Sequence, residues 1–233
     1  MRIGSPQWAA LIIEGAKTFG LELDQKQVSL FAVHASELIK WNKKFNLTTV
    51  TDPRDMALKH YLDSILPAKR ISRFASLLDI GSGGGFPGIP LKIVRPSIKL
   101  TLIDGSRKKI NFLKHTLRAL HFDDVEARQT RAEHLADNPD FASTFDVIAG
   151  RALSSLDAFV QMALPMLADE GLIMAWRGKV APSEIDALQS DVLEKMNADR
   201  YTRRQYALDL ETYKLPIIEA ERALICIRIC VVK

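Results

Sequence analysis

The stretch Leu77-Leu78-Asp79-Ile80-Gly81-Ser82-Gly83-Gly84-Gly85-Phe86-Pro87-Gly88 constrains the fold more than any other part of the chain. An apolar run of strand length passes directly into glycines and then into a helical pattern. Glycines there permit positive φ and let another group approach the main chain closely. The helix behind them offers unpaired amides and the positive end of its dipole. A strand at Ser76–Ile80 and a helix at Phe86–Val94 are expected. Short apolar runs and amphipathic helices alternate from there on. Further strands are expected at Lys99–Ile103, Val125–Gln129, Phe145–Ala149, Gly171–Trp176, weakly near Tyr201–Leu208, and at Ala223–Val232. Helices fit Arg107–Leu120, Ser155–Leu167 and Ser183–Lys195. Such alternation implies a mostly parallel seven-stranded sheet covered on both faces. The last two strands have no convincing helix between them, which fits a terminal antiparallel hairpin.

The first 70 residues read differently, as a small helical subdomain ahead of an α/β domain at 71–233. Ser5-Pro6 resembles an N-cap followed by a first-turn proline, with Trp8, Leu11, Ile12 and Phe19 on one face. Asp24 can cap a second helix through Val28, Phe31, Ala35, Leu38 and Ile39, and Thr51-Asp52-Pro53 starts a third that Pro67 closes. Hydrophobic residues make up 47% and charged residues 26% of the 233, enough for an ordinary core. No apolar run reaches the ~20 residues of a membrane span. The N-terminus lacks the layout of a signal peptide, so a cytoplasmic protein is expected. Cys226 and Cys230 are roughly 13 Å apart along one strand, too far for a disulfide. They read as packing residues, and no His/Cys group has metal-ligand spacing.

Two ligand classes use a strand–glycine–helix turn: dinucleotides, through their pyrophosphate, and S-adenosylmethionine, through its amino-acid end. The dinucleotide spacing exists literally at Gly83, Gly85 and Gly88, but it starts late after the strand, and such a match is weak alone. Asp79 favours the second class, because a carboxylate repels a pyrophosphate and welcomes an ammonium or sulfonium. Asp104, ending the second strand, can accept ribose hydroxyls in either class. Ala132 and Glu133 follow the third strand and can frame an adenine; Glu133 also reads as an ordinary first-turn helix acid. Arg151 follows the fourth strand, where an acceptor would meet the methyl group, or else forms a structural salt bridge. The fold expected is thus Rossmann-like, of the class I S-adenosyl-L-methionine-dependent methyltransferases.

The acceptor is approached by elimination. Exocyclic amine methylation favours an Asn/Asp-Pro-Pro-aromatic segment after the fourth strand, where this chain has Ala149-Gly150-Arg151-Ala152. Methylation of a pyrimidine carbon needs a nearby cysteine, and both cysteines lie in the last strand. Guanine N7 remains: its in-plane lone pair carries no proton, so attack needs positioning and electrostatics but no base.

The glycine stretch through Ile89-Pro90-Leu91, with Trp41-Asn42-Lys43-Lys44-Phe45-Asn46-Leu47-Thr48, His60-Tyr61-Leu62-Asp63-Ser64 and Gly150-Arg151-Ala152, resembles the bacterial small-subunit ribosomal RNA methyltransferase G family, also called glucose-inhibited division protein B. The resemblance runs from about Trp41 to Lys233. It implies methyl transfer to N7 of a guanosine in the decoding-region loop of 16S ribosomal RNA, free or in a small-subunit precursor. It also implies donor contacts at Gly81, Phe86, Ala132, Glu133 and Arg151, with Asp104 at the ribose; Gly83 and Gly85 complete the loop. Ser82-Gly83-Gly84-Gly85 departs modestly from the Thr-Gly-Pro-Gly of some members.

Net charge is +4, a mild sign of a polyanionic partner. Lys43, Lys44, Arg107, Arg177 and Lys179 are candidate RNA contacts, against the plainer reading of solvated faces. His60, three residues before Asp63, either orients guanine or pairs with Asp63 to dock the helix. Trp41, Phe45 and Tyr61 either stack on bases or belong to the core. Two rivals stay open: a class I methyltransferase acting on a protein or small molecule, and a non-catalytic ribosome assembly factor of the same fold. Nothing in the pattern points to a membrane or to an obligate protein partner.

Overall fold

The computed structural model describes residues 1–151, 155–180 and 204–231. The helix expected at Ser183–Lys195, and Ala152, lie outside the described residues. The sheet contains β1 (Ser76–Ile80), β2 (Lys99–Asp104), β3 (Glu126–Gln129), β4 (Phe145–Arg151), β5 (Leu167–Arg177), β6 (Arg204–Lys214) and β7 (Glu221–Val231). Their order is β3-β2-β1-β4-β5-β7-β6. The first five are parallel, and β7 runs antiparallel between β5 and β6. The chain builds outward from β1 to β3 and then crosses to the other side of β1. That reversal opens a crevice at the C-terminal ends of β1 and β4, where ligands bind in open parallel sheets.

Side chains alternate between the faces with the strand period of two. Leu77, Leu172, Met174, Trp176, Leu224 and Cys226 enter one core; Leu78, Ile80, Ile173, Ile225, Ile227 and Ile229 enter the other. The first face is covered by α1 (Pro6–Thr18), α2 (Gln25–Phe45), α3 (Pro53–Met56), α4 (Asp63–Ile65), α5 (Gly88–Val94) and α6 (Arg107–Ala119). The second is covered by α7 (Ala132–Ala136) and α8 (Leu156–Ala163). The helices of residues 1–70 therefore share a core with the sheet, and the change of pattern near residue 70 lies within that core.

Ser5 caps α1, and Asp24 makes a full capping box with Gln27 at the start of α2. Trp8 is fully buried, donates its indole N–H to the Pro53 carbonyl at 2.8 Å and meets Tyr61 edge-on. The third helix departs from the uniform one expected. Between α3 and α4 it becomes a π-helix at Ala57–Leu62, and after α4 it tightens to a 3-10 turn at Leu66–Arg70. The widened turn stands against Gly15 of α1, where a Cβ would lie 2.2 Å from Leu62 Cδ1. Helix α5 starts at Gly88 rather than Phe86, just after the left-handed Gly85 of the glycine turn, φ +88. Helix α8 ends at Ala163, just ahead of Pro165, and β5 begins at Leu167.

Because the Asp24 cap sets the start of the helix that later supports the glycine turn, Asp24→Ala should cost about 1 kcal/mol. Urea denaturation should show a lower midpoint with an unchanged slope.

Candidate active site

The glycine turn divides its residues between ligand and core. Gly81, directly after β1, has φ +71, and a Cβ there would meet nothing within 4 Å. Its open side adjoins a cavity of about 340 Å³. Gly88 faces inward: a Cβ would lie 2.6 Å from Leu102 Cδ2 and 2.7 Å from Asp79 Oδ2. Six of the loop's amides are used internally. Those of Gly81 and Ser82 donate to the Ile103 carbonyl at 2.9 and 3.0 Å, and those of Gly85 and Phe86 to the Ser82 carbonyl at 2.7 and 3.1 Å. The Gly83 amide donates to Asp104 Oδ2 at 3.1 Å and the Gly88 amide to Asp79 Oδ2 at 3.0 Å. A pyrophosphate cradle needs such amides free. This turn instead presents surface and carboxylates, which suits a cationic ligand.

Asp79 is fully buried, and its Oδ1 has no hydrogen-bond partner. Burial pushes its carboxyl up to about 7, against the opposing pull of the Gly88 amide. Asp104 remains 7% exposed at the cavity edge, with Oδ1 accepting from the Ser106 amide at 2.8 Å and Oδ2 facing Lys109 Nζ at 3.3 Å. The cavity has apolar walls in Ile80, Ile103 and Met162, a polar edge in Asp104 and Gly105, and a far side in Thr130, Arg131, Ala132 and Glu133. A flat aromatic ring suits the apolar walls, and a diol suits Asp104. Ala132 is buried and Glu133 exposed in the first turn of α7. Met162 reaches the cavity from α8, a placement no sequence pattern signals.

His34, which sequence reading passed over, clamps the glycine turn from behind. It is fully buried on α2, its Nε2 lies 2.8 Å from the Gly84 carbonyl, and its Nδ1 lies 3.2 Å from the Tyr61 hydroxyl. A carbonyl only accepts, so Nε2 carries the proton and Nδ1 accepts from Tyr61. His60 lies on the π-helix and stacks on Phe86 at 4.3 Å between centroids. Its Nε2 is 2.9 Å from Thr48 Oγ1, which itself accepts from the Val50 amide. Burial, reinforced by the Arg151 charge, drives His60 down to about 3; burial drives His34 down to about 4. Both imidazoles are neutral at ordinary pH.

His60 and Asp63 are not partners. Asp63, only 2% exposed, accepts from the Tyr213 hydroxyl at 2.6 Å and pairs with Arg151 Nη2 at 3.1 Å. Its main-chain carbonyl accepts from the Trp176 indole at 2.8 Å. Arg151 also donates to the Lys59 carbonyl and, at 3.4 Å, to Ser64 Oγ. The arginine at the end of β4 is thus threaded into the π-helical segment, with 19% of its side chain exposed. Burial and Asp63 together push the Tyr213 hydroxyl far above its usual range.

The candidate RNA contacts fall on two sides of this crevice. Lys43 and Lys44 are exposed in the last turn of α2, and Arg107 is exposed at the start of α6. These two elements meet where Lys108 Nζ lies 5.9 Å from the Phe45 ring centre. Arg177 ends β5, and Lys179 just beyond it pairs with Glu221 at 2.7 Å. Tyr61 is wholly buried, whereas Trp41 and Phe45 are half-buried and in contact, 5.4 Å between ring centres.

A seven-stranded sheet of this order, with a glycine turn after β1 and acidic side chains at the ends of β1 and β2, is the class I methyltransferase fold. Solved structures bear this out. An O-methyltransferase from Bacillus cereus in complex with SAH superposes with TM-score 0.60 at 14% identity, covering 96% of this chain and 99% of that one. A SAM-dependent methyltransferase from Aquifex aeolicus superposes with TM-score 0.52 at 17% identity, covering 85% and 98%. Sequence similarity narrows the class. The rRNA small subunit methyltransferase G family matches residues 27–204. Ribosomal RNA small subunit methyltransferase G of Geobacter sp. (strain M21) is 43% identical over 194 residues, 80% of this chain and 88% of that protein. Its Geobacter sulfurreducens counterpart is 37% identical over 220 residues, 94% and 97% of the two chains. The chain belongs to the rRNA small subunit methyltransferase G family.

The neutral imidazoles make stability depend on pH. The folded-state values of His34 and His60 lie below the unfolded value of 6.5, so their contribution is intact above 6.5 and is lost as pH falls toward 4 and 3. At pH 5 each should cost roughly 2 kcal/mol relative to neutral pH. Urea midpoints should fall between pH 7 and 5, and His34→Phe should fall less steeply than the parent.

Proposed function

We propose that this protein transfers a methyl group from S-adenosylmethionine to N7 of a guanosine in 16S ribosomal RNA, in the cytoplasm, on free RNA or on a small-subunit precursor. Family membership supports the RNA substrate. The observation that carries the choice of atom is the crevice wall, whose described residues include Arg151 and a neutral His60 whose Nε2 faces Thr48; Asp79, which titrates near neutrality, is fully buried beneath the glycine turn on the donor side. An acceptor with a free lone pair and no proton to lose fits such a wall.

The residues present fit the donor. S-adenosylmethionine supplies an electrophilic methyl carbon on a sulfonium. Asp104 would hold its ribose hydroxyls; Ile80, Ile103 and Met162 would pack on the adenine, with Ala132 and Glu133 at its edge. Gly81 leaves room for the chain nearest the sulfonium, Gly83 and Gly85 give the turn its left-handed bends, and Phe86 closes the end next to His60. Asp79, beneath the turn, supplies negative charge when ionised. Arg151 and His60 shape the acceptor wall, with Arg151 held there by Asp63. Catalysis then rests on holding two partners in line, worth ~7–11 kcal/mol in favourable cases.

The direct test is transfer of labelled methyl to small-subunit RNA and particles from cells lacking this gene, with the product nucleoside identified by mass. 7-Methylguanosine at one position is expected; label in a different nucleoside would refute the N7 assignment, and no label in RNA would refute the substrate.

Asp79 yields a second test. Its folded value near 7 means that ionisation rises across neutrality, and a cationic donor favours the ionised form. Donor affinity should therefore rise about tenfold from pH 6 to 8, and Asp79→Asn should flatten that dependence. Calorimetric titration across this range would show it.

A further inference from the structure

Helix α6, Arg107–Ala119, carries five cations and no acid in the sequence RKKINFLKHTLRA. Its buried side is Ile110, Phe112, Leu113, Thr116 and Leu117. Arg107, Asn111, Lys114 and Arg118 are exposed and recur at the spacing of one helix face. They form a stripe ~16 Å long. Lys108 flanks it and reaches over Phe45, so the exposed Lys43 and Lys44 of α2 extend the same surface. The stripe begins three residues after Asp104, at the edge of the 340 Å³ cavity.

The charges on this surface are uncommitted. Among the described residues, Lys43, Lys44, Arg107, Lys108, Lys114 and Arg118 make no ion pair. On the competing basic surface, beside the β6–β7 hairpin, Lys179, Lys214 and Arg222 each face a carboxylate. Lys179 pairs with Glu221 at 2.7 Å, Lys214 with Glu219 at 3.5 Å, and Arg222 faces Asp63 at 3.9 Å. A polyanion gains most where cations lack internal partners. The placement also opposes helix stability, since Arg107, Lys108 and Lys109 crowd the positive end of the α6 dipole with no acid in the first turn. Stability alone would select carboxylates there.

We propose that the exposed face of α6, continued by the last turn of α2, is the track on which the sugar–phosphate backbone of the RNA lies as it enters the crevice beside Asp104. The track adds Lys114 and Arg118 to the residues that meet the substrate and makes α6 the principal RNA-contacting element. It rests on the reading of the substrate as ribosomal RNA.

The test compares three full-length proteins: the parent; a track variant with Arg107→Gln, Lys114→Gln and Arg118→Gln; and a control of equal net charge with Lys17→Gln, Arg73→Gln and Lys99→Gln, all exposed and outside α6 and the last turn of α2. Each is titrated with a small-subunit rRNA fragment over a range of salt, and separately with S-adenosylmethionine. The track variant should bind RNA at least tenfold more weakly, and its log–log salt slope should shrink by about 2, as expected for three lost phosphate contacts. Donor affinity should stay within twofold, and the control should keep the parent's slope. Equal losses in track variant and control would overturn the proposal in favour of net charge alone. An unchanged slope in the track variant, with the parent still methylating the RNA, would overturn it while leaving the rRNA reading intact. A parent that neither binds nor methylates the RNA would overturn both.

Discussion

The crevice depends on one buried carboxylate. Asp63 sits in the segment that follows the π-helix, yet its partners come from the other end of the chain: Arg151 from β4, Tyr213 from β6 and, through its carbonyl, Trp176 from β5. Removing a carboxylate from water costs several kcal/mol unless close donors replace the solvent. Here an arginine and a phenol do so, and without Asp63 the Tyr213 hydroxyl would lose its acceptor while Arg151 would keep only the Lys59 carbonyl and Ser64. The pairing holds residues 57–65 across the ends of three strands and forms one wall of the crevice. The π-helical turn belongs to the same arrangement, because the Lys59 carbonyl accepts from Arg151 rather than serving the helix alone.

On the donor side, selectivity arises from what the glycine turn withholds. A turn of this sequence is commonly read as an anion cradle. The amides of Gly81, Ser82, Gly83, Gly85, Phe86 and Gly88 are all taken by carbonyls or carboxylates of the protein. With the amides spent and Asp79 and Asp104 behind them, the local field favours a cation. His34 completes the device by holding the Gly84 carbonyl from α2, the same helix whose last turn carries Lys43 and Lys44. The glycine turn and the basic last turn of α2 are thus tied to one helix.

The strand–glycine–helix core was legible in the sequence because its signals are local: an apolar run, positive-φ glycines and an acid at each strand end. Ser5 and Asp24 announced their helices for the same reason. The π-helix was not legible, since Ala57–Leu62 has an ordinary helical composition and its widening is imposed by α1 and Arg151. Strand β6 was underestimated because its polar face reads as surface, although Asp209 and Glu211 are bonded to Arg70 at 2.7 Å each. His60 and Asp63 invited pairing by spacing alone, and tertiary partners more than a hundred residues away for Arg222, Trp176 and Tyr213 redirected Asp63. His34 and Met162 carried no sequence signal, because a lone histidine or methionine at helix spacing resembles any core residue.

The ionisable groups of the site oppose one another. His34 and His60 are held neutral by burial, so acid weakens the fold through them. Asp79 is shifted upward, so its contribution is complete below the unfolded value of 3.8 and is lost as pH rises through about 7. The glycine turn is therefore strained electrostatically on the alkaline side, where the ionised Asp79 has one oxygen without a partner. A cationic donor bound above the turn, as proposed, would relieve that strain and so couple donor binding to local stability by linkage. On the proposed track the charges at the start of α6 follow the same logic with opposite sign, since an RNA phosphate there would offset the repulsion between the helix dipole and its cations. In both places a local electrostatic cost in the free protein would become affinity when the partner of opposite charge arrives.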